Sequence, residues 1–166
     1  MKLLLFLNLL MCLLFFSSCA QNRYGIQKTY AYLKESFRGN IPVDEKGNAL
    51  LKGIDTVHII YIETKKEDTL IANTAWNNQQ TFSVAVFPVE QKMLEVGKRK
   101  ADEKKVFIQS SIGNRLWKLE LQPMGGTNYP PSILPQGVLM LEGEYKGKKF
   151  KLEIKNELEL LPDITG

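Results

Sequence analysis

With 166 residues, 44% of them hydrophobic, the chain is long enough for one domain with a substantial core and too short for two ordinary ones. Its 22 Lys plus Arg against 18 Asp plus Glu leave a formal charge of +4. That bias is too mild for a nucleic-acid binder of this size, which would carry a stronger basic stripe.

The first element is a short apolar segment. After Lys2, the run from Leu3 to Phe16 is apolar apart from Asn8. Fourteen helical residues rise only ~21 Å, short of a ~30 Å hydrocarbon core, and no Lys or Arg cluster follows to stop transfer. One positive charge, an apolar centre and the small residues Ser17 and Ser18 form the layout of a secretory signal peptide. Phe16-Ser17-Ser18-Cys19 then resembles the lipobox of bacterial lipoproteins, with Phe16 where that family usually has Leu. The resemblance covers about the first twenty residues. It implies a diacylglyceryl group on the Cys19 sulfur, cleavage before that residue, and acylation of the new amine. A thiol suits this role because it is soft and nucleophilic enough to form a stable thioether. Several acyl chains make durable an anchoring that one chain would leave marginal. The competing readings are an ordinary secretory signal and an uncleaved anchor.

Cys12 lies in the segment to be discarded, so the mature chain would keep only Cys19. An exported domain with one cysteine has no internal disulfide, and thiol catalysis or a cysteine-based zinc site is not expected. Ala20-Gln21-Asn22-Arg23 carries neither the Asp that retains lipoproteins in the inner membrane nor an acidic surface-export cluster. The resemblance therefore implies the outer membrane, facing the periplasm, with the cell surface as the alternative. Residues 1–18 read as signal peptide, 19–40 as lipidated tether and first element, and 41–166 as a single β-sandwich domain. Without Lys2 the mature net charge is +3.

Ile26, Tyr30, Leu33 and Phe37 fall at helical spacing, yet "TYAYL" alternates and is rich in β-formers. The stripe favours a short helix, with a strand as the alternative. "RGNIPVDEKGN" (38–48) reads as a loop. From residue 56 the period becomes two. "TVHIIYIET" puts Val57, Ile59 and Tyr61 on one face and His58, Ile60 and Ile62 on the other, as in a central strand covered on both sides. "TLIANTAW" and "TFSVAVFPV" form a predicted hairpin around Asn77–Gln80, and "MLEVGKRK" with "KVFIQSS" a second. "FIQSSIGNRLWKLELQ" reads as a third around Gly113-Asn114, and "VLMLEGEY" with "KFKLEIK" as a fourth around Lys146–Lys148. About seven to eight short strands without βαβ alternation predict an antiparallel β-sandwich of immunoglobulin-like kind, with a small β-barrel as the alternative.

Signals for chemistry are sparse. The single histidine, His58, sits in an apolar strand, where a half-buried residue with a local hydrogen bond is expected rather than a metal ligand. No G-x-S-x-G elbow accompanies it. Gly125-Gly126 lacks a P-loop lysine, and "DEKGN" lacks the alternating ligands of a calcium loop. The acids lie mostly in "ETKKED", "KADEKK" and "ELELLPD", which read as solvated turns. Trp117 shares a face with Leu119 and Leu121, so both it and Trp76 are expected in the core rather than as sugar platforms. The irregular stretch "PMGGTNYPPSILPQG" (123–137) is the predicted binding element, through Asn128, Tyr129, Ile133 and Leu134. A crossover pinned by Ile133 and Leu134 is its structural alternative. "GKRKADEKK" could touch anionic lipid or glycan, though a mixed-sign hairpin tip is the simpler reading.

The expectation is a lipid-anchored, non-catalytic binding or scaffolding subunit of an envelope assembly, with a protein partner, no metal, no cofactor and no nucleic acid. A glycan-binding lipoprotein would expose Trp76 or Tyr129 on a flat face. An inhibitor or immunity-type lipoprotein would present a concave or acidic surface. A small hydrolase would need two carboxylates facing across a cleft.

Overall fold

The computed structural model describes residues 24–37, 44–47, 54–78, 80–125 and 133–162. Ten strands make it an all-β architecture: β1 (Lys28–Phe37), β2 (Ile54–Lys65), β3 (Leu70–Trp76), β4 (Thr81–Val89), β5 (Met93–Lys98), β6 (Lys105–Gln109), β7 (Asn114–Pro123), β8 (Leu139–Tyr145), β9 (Lys148–Ile154) and β10 (Leu158–Leu160). Eight of them form one sheet in the order β10-β1-β2-β7-β4-β3-β8-β9, and β5 pairs only with β6. The strand order begins with β10 and ends with β9, which only residues 155–157 separate in the chain. The sheet therefore curls enough to bring its two ends near each other. The two walls expected of a sandwich come from one continuous curled sheet, consistent with a sandwich or a barrel-like fold.

Period-two alternation explains the layers. Ile60 and Ile62 of β2, Trp117 and Leu119 of β7, Phe82 of β4, Leu141 of β8 and Phe150 of β9 meet in the main core enclosed by the curl. The opposite face of β1, β2 and β7 carries Tyr32, Tyr61 and Leu116, which pack with Ile108 of β6 and Leu160 of β10 in a second core. As the doubly apolar pattern predicted, β2 is central, between β1 and β7.

Two expectations change. Residues 28–37 form a strand rather than a short helix, paired with β2 over ten positions from Lys28↔Glu63 to Phe37↔Ile54. The alternation Tyr30, Ala31, Tyr32 feeds both cores, a layout that a helix cannot provide. The Gly113 turn, with φ of 79°, does not close a β6–β7 hairpin. β7 instead pairs with β2 and β4, leaving β6 to β5. Ser111 N and Asn114 Nδ2 donate to the distant Glu63 Oε1 at 2.8 and 2.7 Å, drawing the turn onto β2. The other three predicted hairpins, β3–β4, β5–β6 and β8–β9, form, with a register shift between Glu95 and Gly97 in β5–β6.

Candidate functional site

Across the outer face of the sheet, register places the side chains in rows. Tyr30, Tyr61, Lys118 and Phe87 form one row over β1, β2, β7 and β4, and Tyr32, Ile59, Glu120 and Ala85 form the next. Lys34 and Val57 begin a third. The β5–β6 hairpin covers only part of this face. Its Leu94, Val96 and Val106 pack with Tyr30, Ile59 and Val89 around the buried residues of the second core. An isolated bridge, Arg99↔Leu160, fixes the hairpin tip to β10, reinforced by Leu161 N donating to Lys98 O at 2.8 Å.

Where the hairpin ends, a cleft of about 540 Å³ opens between it and the sheet. Val57, Ile59 and Tyr61 line it from β2, Val96 from the hairpin, and Lys118, Glu120 and Gln122 from β7. Val57 is 39% exposed and Phe87, in the row beside Lys118, 46%, so apolar surface extends beyond the hairpin's edge. Lys118 Nζ donates to Glu120 Oε1 at 2.8 Å. Burial pushes the Tyr61 hydroxyl above its ordinary value, opposed by the Lys118 charge and reinforced by Glu120. Both carboxylates on the cleft are held by lysines: Glu120 by Lys118, and Glu35 by Lys100 at 3.6 Å. The arrangement suits binding of a partly apolar group beside a salt bridge.

The predicted site residues fare unevenly. Cys19, Asn128 and Tyr129 lie outside the described residues. Leu134 is buried, packed with Trp76 and Val138, so its side chain is not offered to a ligand. Ile133 is 96% exposed and cannot pin the loop as the crossover reading supposed. The pin is Asn78: its Nδ2 donates to Leu134 O at 2.5 Å and its Oδ1 accepts from Leu134 N at 2.7 Å. Both tryptophans are buried, as expected, so Trp76 supplies no sugar platform. Trp117 Nε1 donates to Thr64 Oγ1 at 2.8 Å.

His58 points into the main-core face, its ring edge-on to Phe82 at 5.4 Å. Its Nδ1 lies 2.8 and 3.0 Å from the Glu157 carboxylate oxygens, so the expected local hydrogen bond is a long-range one, to the link between β9 and β10. Two acids read as solvated are therefore structural: Glu157, and Glu63, which is fully buried. Burial pushes the Glu63 carboxyl up, but hydrogen bonds from Asn114 and Ser111, with the Lys28 ammonium, outweigh it and hold the group below the usual carboxylate value. Alternation contained the signal, since Glu63 continues the face of Ile59 and Tyr61. Nothing in the sequence pointed to Asn78 or Glu157. Among the described residues no cluster of three or more His, Cys, Asp or Glu could hold a metal.

No protein-family model matches the chain, and no curated protein or solved structure matches it significantly.

Proposed function

We propose that the protein is a lipid-anchored binding module of the bacterial envelope, without catalytic activity of its own, whose outer cleft receives a segment of a partner protein. The observation that carries this reading is the half-covered outer face of the sheet. Val57, Ile59 and Val96 leave apolar surface open beside the Lys118–Glu120 pair, in a cleft large enough for a few side chains. The anchor rests on the apolar segment and Phe16-Ser17-Ser18-Cys19. Confinement to the membrane plane would raise the local concentration of the module at its partner.

A photoreactive side chain at Gln122, on the cleft, tests the binding half against one at Glu153 on β9. In cells producing the full chain, the Gln122 probe is expected to form one discrete adduct with an envelope protein, suppressed by Val57→Asp. Adducts identical at both positions, or indifferent to Val57→Asp, would refute the cleft. An intact mass that includes Met1, or an unmodified thiol at residue 19, would refute the anchor.

A further inference from the structure

The charge of this protein is unevenly placed. Ile26 is in the main core, Gly25 abuts the Tyr145 ring, and Gln27 N donates to Glu63 O at 2.8 Å, so the chain enters the fold at one end of the curled sheet. The turn after β2 and the turn between β8 and β9 lie at the same end, tied by the Tyr145 hydroxyl donating to Asp68 and by Lys146 Nζ at 3.1 Å from that carboxylate. Register adds Asn114 and Arg115, opposite Lys65 and Thr64. This end gathers Lys28, Lys65, Lys66, Lys92, Arg115, Lys146, Lys148 and Lys149, eight cations, against Glu63, Glu67, Asp68, Glu90 and Glu144. The surplus of three equals the whole net charge of the chain from residue 19, so the remaining charged residues sum to zero.

Pairing sharpens the contrast. Among the described residues, Lys65, Lys66, Lys148 and Lys149 are exposed and lie within ion-pair distance of no carboxylate. The other basic run, at the β5–β6 tip, is paired in place apart from the exposed Lys98. Arg99 and Lys104 pair with Asp102, Lys105 with Glu95, and Lys100 with Glu35 and Glu159.

We infer that the chain-entry end is a docking surface for the anionic phospholipid headgroups of the bilayer, an inference that rests on the anchor at Cys19. Tyr24 lies five residues after Cys19, a reach of at most ~18 Å. A lipid on residue 19 therefore keeps this end close to the headgroups. Each lysine within a screening length of an anionic bilayer strengthens association roughly fivefold. Four unpaired lysines are thus enough to hold one orientation. Along β2, Tyr61 and Val57 stand four and eight residues from Lys65, ~13 and ~26 Å of strand, so the same orientation holds the cleft on the side away from the docked end.

The test uses the full chain, processed by the cell, with the mass of the product read first. The product is placed in vesicles of phosphatidylcholine, or of phosphatidylcholine with phosphatidylglycerol, carrying a headgroup quencher. A fluorophore is attached at Glu67→Cys or, for the far end, at the exposed Ala101→Cys, which leaves the ion pairs of that tip in place. Quenching at position 67 is expected to be several-fold greater in the anionic vesicles. That difference should vanish at about 1 M salt, where the screening length falls to ~3 Å, and in the combined variant Lys65→Gln, Lys66→Gln, Lys148→Gln and Lys149→Gln. Position 101 should respond equally to both vesicles. Equal quenching at position 67 in the two vesicle types overturns the docking surface and leaves the anchor standing. A product without lipid overturns the anchor; unlabelled product then supports the surface if it sediments with anionic vesicles alone, and overturns it if it sediments with neither. Displacement by millimolar inorganic phosphate would mark a free-anion site and overturns it too.

Discussion

Removing the buried carboxylate of Glu63 is expected to destabilise the domain more than removing any exposed charge. Its Oε1 accepts from Ser111 N at 2.8 Å and from Asn114 Nδ2 at 2.7 Å, and its Oε2 lies 3.5 Å from the Tyr30 hydroxyl. Glu63→Ala would leave both amide donors without their charged acceptor in a part-buried site, at a cost of about 2–3 kcal/mol. The Lys28 contact, at 3.9 Å with a half-exposed amine, adds little. Glu63→Gln keeps one acceptor and loses the charge assistance, which should cost about 1–2 kcal/mol. Urea unfolding followed by tryptophan fluorescence reads both changes. The sign with pH is fixed by the lowered carboxyl. Its contribution is complete above the unfolded value near pH 4.3 and is lost as pH falls through the lower folded value. The gap between wild type and Glu63→Gln should therefore narrow below about pH 4. A Glu63→Ala cost under about 1 kcal/mol, or a gap unchanged between pH 7 and 3, would refute the reasoning.

Asn78→Ala removes both hydrogen bonds to Leu134 and should cost about 1–2 kcal/mol, with faster amide exchange at Leu134 and Val138 and little change in β2. Gly143→Ala would place a methyl group 2.7 Å from Phe150 Cζ and closer still to the Ile71 carbonyl, so a loss of about 3 kcal/mol is expected by the same unfolding assay. Burial, with Tyr30 and Tyr61 nearby, pushes Tyr32 up to about 12, and burial with the bond to Asp68 does the same for Tyr145. A raised phenol stabilises the fold below its unfolded value near pH 10 and loses that contribution as pH climbs towards 12, about 2 kcal/mol for each tyrosine. Stability should accordingly fall between pH 10 and 12, and Tyr32→Phe should fall less steeply; an identical slope in the variant would refute the assignment.

The strands were legible wherever alternation was strong and both neighbours lay close in the chain. β3–β4, β5–β6 and β8–β9 follow from apolar alternation around short polar turns. β1 misled because Ile26, Tyr30, Leu33 and Phe37 satisfy a helical spacing that pairing with β2 overrides. The β6–β7 junction misled because a turn residue reports a change of direction, not the identity of the next strand's partner. What chose the partner was the Glu63 carboxylate, 48 residues from Ser111. The cleft was unreadable for a similar reason. Val57, Ile59 and Gln122 are recognisable as strand residues, but their openness depends on how far the β5–β6 hairpin extends over them. Asn78 and Glu157 act across 56 and 99 residues, a range at which single-sequence spacing carries no signal.

The long-range contacts share one logic, which bears on why a chain of this size can present an open face. A three-residue link, the one carrying Glu157, joins the two end strands of the curled sheet and brings its ends near each other. His58 reaches the link from the centre of the sheet. Glu63 fastens the β6–β7 turn, and the Arg99 bridge fastens the hairpin tip to β10. The hairpin is thus held at both ends independently of what fills the cleft beside it. A cleft whose cover is fixed in this way exists before any partner arrives, so binding need not also order the hairpin. Loosening one fastening should separate the two roles. Asn114→Ala, which removes the 2.7 Å bond to Glu63, is expected to weaken cross-linking from Gln122 beyond what its loss of global stability explains. Cross-linking that falls only in proportion to the unfolded fraction would show that the cleft does not depend on the fastening.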